Sequence, residues 1–199
     1  IFASTNKIPL PEHPRPDFQR IEWRNLNGSW DFEFDAEDKG LAEKWFEGSK
    51  KFSKEINVPF PWGSKLSGVK DESVIAWYER HVVIPNDWKG KRVFLMIGAS
   101  DWHTTGWLDG SEVGQFKGGY TPIEFELTDV IKWGEDQALI LRVDDTEHDF
   151  KLYGKQGYGD CRGIWQTVCL EARPNTYFES IHFSPDIDKT QVNVVARLN

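Results

Sequence analysis

The stretch GKQGYGDCRGIWQTVCLEA, residues 154–172, puts four glycines into ten positions and then turns into an apolar, aromatic run. Glycines at such density serve a phosphate cradle, a ligand-binding loop or a bare turn. A phosphate cradle needs Gly-x-Gly-x-x-Gly after a strand and at the opening of a helix. Here the glycines lead instead into a strand pattern with a β-branched residue at Ile164. That leaves a turn whose glycines supply positive φ, with a ligand loop as the second reading. A second candidate is Asp101-Trp102, directly after the apolar run VFLMIGAS. A carboxylate so placed must be hydrogen-bonded or solvated, because an unpaired buried charge is costly. Beside an aromatic ring it suits a hydroxyl-rich ligand; alternatively it caps a turn or pairs with Arg80 or Arg92. The acidic run VDDTEHDF, residues 143–150, lacks the spacing and glycine of a calcium loop and reads as a solvated loop. Cys161 and Cys169 are too few for a disulfide framework, and Cys169 is expected to be a buried free thiol. No Cys or His cluster offers a metal site, and no cofactor is expected.

Composition narrows the function classes. A net charge of −8 with scattered basic residues argues against nucleic acid as a partner. No apolar run approaches the roughly 18 residues of a membrane span, so no membrane partner is expected. The opening segment has no signal-peptide pattern and begins with Ile, which reads as a mature or trimmed product. Ten tryptophans stand out; such rings fill sandwich cores and also stack on ligands.

The elements that must position these residues are strands. LNGSWDFEFD places Trp30, Phe32 and Phe34 on one face and Asp31 and Glu33 on the other. AWYERHVVIP alternates through Tyr78, Arg80, Val82 and Ile84, and KRVFLMIGAS is apolar on both faces from Val93 to Ile97. Asp109-Gly110 in TTGWLDGSEVGQF marks a hairpin. YTPIEFELT, QALILRVDD and GIWQTVCLE supply three further strands. Helical signals are confined to a short helix around Leu41 to Phe46 and a turn in LTDVIKW. With 17 glycines and 10 prolines between short strands, the chain predicts an all-β sandwich, most simply a jelly roll. Beyond Pro174, ESIHFSP and QVNVVARLN form a separate hairpin that cannot build a core alone.

Four stretches in this order, PRPDFQRIEWRNLNGSWDFEFD, INVPFPWGSKLSGV, WYERHVVIPNDWKGKRVFLMIGASDWHTTGWLDGSEVGQFKGGYTPIEFELTDVI and GKQGYGDCRGIWQTVCLE, carry a resemblance. The chain resembles the amino-terminal sugar-binding domain of the glycoside hydrolases that include β-galactosidase, β-glucuronidase and β-mannosidase. The resemblance implies a jelly roll over 1–174, then a linker and the first hairpin of an incomplete immunoglobulin-like sandwich over 175–199. It also implies a TIM barrel in the same polypeptide, carrying the two catalytic glutamates of a retaining β-glycosidase. A barrel needs about 250 residues, so the 199-residue chain is expected to be a non-catalytic fragment. The resemblance further implies a carbohydrate partner and a periplasmic or secreted bacterial setting. A freestanding carbohydrate-binding module is the alternative from another class.

The same resemblance points to site residues. The glycine loop reaches toward the barrel in such enzymes, and by motif position Gln156 and Asp160 are the candidates for contacting substrate hydroxyls. Lys155 and Arg162 flank them. Some relatives carry an acidic residue where this chain has Gly157. INVPFPWGSKLSGV lies near the active-site mouth in the family, which makes Trp62 a candidate stacking residue or else a cover for the sandwich edge. Asp101 and Trp102 complete the candidate set. Trp165 is expected to pack in the core or against the barrel. The final hairpin, lacking a sheet partner, is expected either to pair two copies through residues 178–199 or to be disordered.

Overall fold

The computed structural model describes residues 8–146 and 161–199. Fourteen strands are present among them: β1 (Trp23–Asn25), β2 (Gly28–Phe34), β3 (Lys54–Val58), β4 (Ile75–Val83), β5 (Arg92–Ile97), β6 (Ser100–Asp101), β7 (His103–Leu108), β8 (Ser111–Lys117), β9 (Ile123–Glu126), β10 (Asp136–Asp144), β11 (Gly163–Ile164), β12 (Val168–Arg173), β13 (Phe178–Asp186) and β14 (Gln191–Leu198). A six-stranded sheet runs β3-β2-β4-β10-β7-β8 and a four-stranded sheet runs β1-β12-β5-β9. Every pairing in both is antiparallel. The all-β expectation therefore matches the structure.

The main core lies between the two sheets. Trp30, Phe32, Tyr78, Val82, Leu108, Leu139 and Leu141 enter it from the larger sheet, and Val93, Leu95, Ile97, Ile123, Val168 and Leu170 from the smaller. These are the alternating positions of the sequence, one residue in two. Arg80, on the same face of β4, turns its guanidinium to the carbonyls of Leu26 and Asn27 at 2.7 and 3.2 Å.

A second, smaller core covers the outer face of the larger sheet. Trp77, Trp107 and Ile140 pack there against Trp45, Phe46 and Phe52 of the segment between β2 and β3. Trp77 stacks on Trp107 at 5.5 Å, and Trp107 on Phe46 at 5.3 Å. The Asp35 carboxylate ties this layer down, accepting from the Trp77 indole at 3.0 Å and from the Lys39 and Gly40 amides, each at 2.9 Å. The expected helix around Leu41 to Phe46 does not form: Lys44 leaves the helical region at φ 55°, Gly48 follows at φ 72°, and only a 3₁₀ turn at Trp45–Glu47 remains. LTDVIKW gives the expected helical turn, at Thr128–Val130.

Two other expectations need correction. GIWQTVCLE is two strands, β11 and β12, because Trp165 and Gln166 leave the ladder to bond Ala99. Arg92 pairs with Glu126 at 2.6 and 2.8 Å, and Arg80 with backbone carbonyls, so neither is the expected partner of Asp101.

The outer face of the smaller sheet is charged and aromatic. Arg173 bonds Glu171 at 2.6 Å and Glu124 at 2.8 Å, and lies over the Phe94 ring at 4.2 Å. Tyr177 is held against Phe94 and under Arg20 and Arg173. Arg20 also donates to the Phe178 carbonyl at 2.7 Å, which clamps the start of the β13–β14 hairpin to the sandwich. Most side chains of that hairpin are exposed, Phe183 and Val192–Val195 among them.

Acid sensitivity follows from carboxylates held below their ordinary values, Asp109 and Glu126 among them. Burial opposes ionisation of Asp109, but bonds from Lys132, the Ala138 amide and Gln137 outweigh it and hold the carboxyl below its ordinary value. The Arg92 hydrogen bonds hold Glu126 low as well. A depressed folded value means that the stability contributed is complete above the unfolded value, about 4 for such groups, and is lost as pH falls through the folded one. The urea midpoint is accordingly expected to drop as pH is lowered below about 4. Asp109→Asn should flatten that decline, and an unchanged slope in the variant would contradict the assignment.

Candidate functional site

Four of the expected site residues, Trp62, Asp101, Trp102 and Arg162, lie around the point where β6 meets β11. Asp101 pairs with Gly163 and Ser100 with Ile164. Gly163 adopts φ 81°, and a Cβ there would lie 2.3 Å from both the Trp62 ring and the Tyr78 hydroxyl. Only glycine fits both the backbone and the space. The Ile164 amide donates to the Tyr78 hydroxyl at 3.3 Å, and burial pushes that phenol far above its ordinary value, so it is held neutral.

Arg162 and Trp62 are brought together by an antiparallel bridge between their backbones. The Arg162 guanidinium then ties two loops, donating Nε to Asp145 at 2.9 Å and Nη1 to Asp71 at 2.5 Å. Asp145 is almost wholly buried, and its charge is compensated here. Trp62 is only 3% exposed and packs on Phe32, Phe34 and Tyr78. Its ring belongs to the main core. Its indole nitrogen has no hydrogen-bond partner among the described residues.

Asp101 and Trp102, joined by a cis peptide bond, face the turn between β8 and β9. The Trp102 carbonyl accepts from the Gly118 amide at 3.0 Å. The Asp101 carboxylate lies against Gly119, so closely that a Cβ on that glycine would be 2.8 Å from Oδ1. Trp165 donates its indole N–H to the Gly119 carbonyl at 2.8 Å, which pins the turn from the other side. Next in sequence, Tyr120 stands edge-on to Trp165 with ring centres 5.9 Å apart and is 73% exposed. Desolvation and the carboxylates of Asp101 and Asp145 push the Cys161 thiol up to about 11. Cys161 and Cys169 are both free, and burial pushes the Cys169 thiol up to about 12.

Gln156, Asp160 and Lys155 lie outside the described residues, as does the acidic run beyond Thr146. Among the described residues no group of three or more His, Cys, Asp or Glu could hold a metal ion. Sequence reasoning passed over Tyr120 and Asp71. The signal for Tyr120 was its place after Gly118-Gly119 between two strands, where an aromatic has no alternating partner to bury it. Asp71 carried no signal, because its partner Arg162 is 91 residues away.

Residues 23–174 match the profile of the sugar-binding domain of the glycosyl hydrolases of family 2. The chain belongs to glycosyl hydrolase family 2. A β-galactosidase of Thermoanaerobacter pseudethanolicus is 31% identical to the family 2 domain over 189 residues, covering 87% of this chain and 23% of the relative. A β-glucuronidase of Paenibacillus borealis is 29% identical over 126 residues, 62% of this chain and 21% of the relative. Among solved structures, a β-glucuronidase of an uncultured Clostridium species superposes with a TM-score of 0.75 at 28% identity, covering 89% of this chain and 34% of its own. A Ruminococcus gnavus β-glucuronidase shares the fold at 20% identity with a TM-score of 0.75. The family 2 domain thus spans between 21% and 34% of the length of these relatives.

Proposed function

We propose that this chain is the amino-terminal, non-catalytic domain of a retaining β-glycosidase that hydrolyses O-glycosidic bonds. The observation that carries the reading is the family match over 23–174, in a chain spanning 23% to 34% of these relatives. A retaining glycosidase sets two carboxyl groups about 5 Å apart across the scissile bond. In this reading they sit in a TIM barrel elsewhere in the polypeptide, and the 154–165 loop braces that active site. Gln156 and Asp160 reach the substrate hydroxyls, and Asp101 and Trp102 support the loop from β6. The Arg162 tie to Asp71 and Asp145 fixes where the loop leaves the sandwich, and Trp62 fills the space beneath it. Residues 1–174 are one domain and 175–199 open an immunoglobulin-like sandwich, whose remaining strands cover the apolar side chains of β13 and β14.

The purified 199-residue chain is expected to show no turnover of nitrophenyl β-galactoside, β-glucuronide or β-mannoside. Hydrolysis above the buffer rate, abolished by no contaminant-removal step, would overturn the reading. A freestanding carbohydrate-binding module is separated from a bracing domain by the downstream reading frame, which continues into a barrel only in the second case.

A further inference from the structure

The β13–β14 hairpin is a sheet of its own, and among the described residues no strand of the sandwich pairs with it. Ile181 stands opposite Ala196, Phe183 opposite Val194 and Pro185 opposite Val192, and this apolar row is exposed. A two-stranded hairpin with an uncovered apolar face is marginal in water. Its folding and its orientation are therefore decided where it meets the sandwich. We infer that Tyr177, seated among three arginines at that junction, is a latch that holds residues 178–199 both folded and fixed against the sandwich.

The seat is built before the tyrosine enters it. Tyr177 is buried although the three residues before it, Pro174 to Thr176, are exposed. Its ring meets Phe94 edge-on with centres 6.0 Å apart. The guanidinium carbons of Arg173, Arg20 and Arg92 lie 5.0, 5.2 and 5.7 Å from its centre. At such distances a cation is drawn to the ring quadrupole, the more so where water is excluded. Each cation is itself aimed by a carboxylate: Arg173 bonds Glu171 and Glu124, Arg20 bonds Glu171, and Arg92 bonds Glu126. The caged residue also gathers both ends of the hairpin. Arg20 donates to the Phe178 carbonyl at 2.7 Å, at the start of β13. The Tyr177 amide donates to Asn199 Oδ1 at 2.8 Å, and the Asn199 amide to the Tyr177 carbonyl at 3.2 Å, just past the end of β14. Withdrawing the ring from the cage thus frees both strands at once.

The test uses the 199-residue chain labelled with ¹⁵N and ¹³C in a weakly aligning medium. In the wild type, the residual dipolar couplings of 178–198 are expected to fit the same alignment tensor as those of β4 and β5, with strand-like Cα shifts. Tyr177→Ala should shrink the hairpin couplings by about fivefold or more and move its Cα shifts toward coil, while β4 and β5 keep theirs. Tyr177→Phe retains the ring and should preserve both signals. Arg20→Gln, which removes one cation and the Phe178 bond, should give an intermediate loss. A hairpin as ordered and aligned in Tyr177→Ala as in wild type would overturn the inference. So would a wild-type hairpin that is coil or follows a separate tensor. Wild-type order that fades on dilution would also overturn it, since a second copy would then hold the hairpin. If Tyr177→Ala loses the sandwich as well, Arg20→Gln decides, and unchanged couplings there sink the latch. None of these outcomes bears on glycoside turnover, so the inference and the proposed function fail separately.

Discussion

Gly163→Ala is expected to destabilise the domain by about 2–5 kcal/mol, lowering its melting temperature by roughly 5–15 °C. The backbone at φ 81° costs an L-residue about 1–2 kcal/mol before any contact is considered. The added methyl would then stand 2.3 Å from the Trp62 ring and the Tyr78 hydroxyl, both in the packed interior. Neither neighbour is the end of a flexible chain. Relief must come from shifting Trp62, which moves the bridge to Arg162, or from shifting β11, which breaks the pairing with Asp101. The penalty should therefore shrink when Trp62 is also replaced by Leu, since residues sharing a contact are not additive. Chemical denaturation of the four proteins in that cycle measures it. A Gly163→Ala chain within about 0.5 kcal/mol of wild type would show that the close packing around this glycine is not what holds the loop.

Trp77→Ala is the other substitution expected to be severe, at about 3–5 kcal/mol. Trp77 is wholly buried near the start of β4, stacked on Trp107 and against Trp45, with its indole N–H donated to Asp35. Truncation leaves a large void in the outer layer and removes one of the bonds that hold the Asp35 carboxylate. Trp77→Phe should recover part of the loss, because it restores apolar volume without the N–H. Calorimetry and the near-ultraviolet signal of the stacked indoles follow the two effects separately. A loss below about 1 kcal/mol would mean that the segment between β2 and β3 is a detachable flap.

The residues that made the sheets readable are those whose alternation is local. Trp30, Phe32 and Phe34 predicted β2 because their partners lie one position in two along the same strand, and Asp109-Gly110 predicted the β7–β8 turn because its geometry is set by two residues. What escaped depends on distant partners. Trp77 shows no alternation against Tyr78, since both faces of β4 are buried there, one by the opposite sheet and one by the segment around Trp45. The apolar spacing of Leu41 to Phe46 suggests a helix, but the left-handed backbone at Lys44 and the fit of Trp45 into the outer layer decide otherwise. The candidate site divides in the same way. Asp101 was legible as a charge directly after an apolar run and Arg162 only as a flanking charge implied by the resemblance, whereas the contacts of Arg162 with Asp71 and Asp145 join loops from three parts of the chain.

The arginine clamp on Tyr177 gives β12 a mechanical role. Its six residues, Val168–Arg173, extend about 20 Å. At one end Arg173 grips Tyr177, where the hairpin begins; just before the other, Trp165 is fastened to the turn carrying Tyr120. Flanked on both sides by β1 and β5, the strand has no freedom to bow. The strand therefore joins the Tyr177 clamp and the Trp165 anchor through one continuous, doubly paired stretch of backbone.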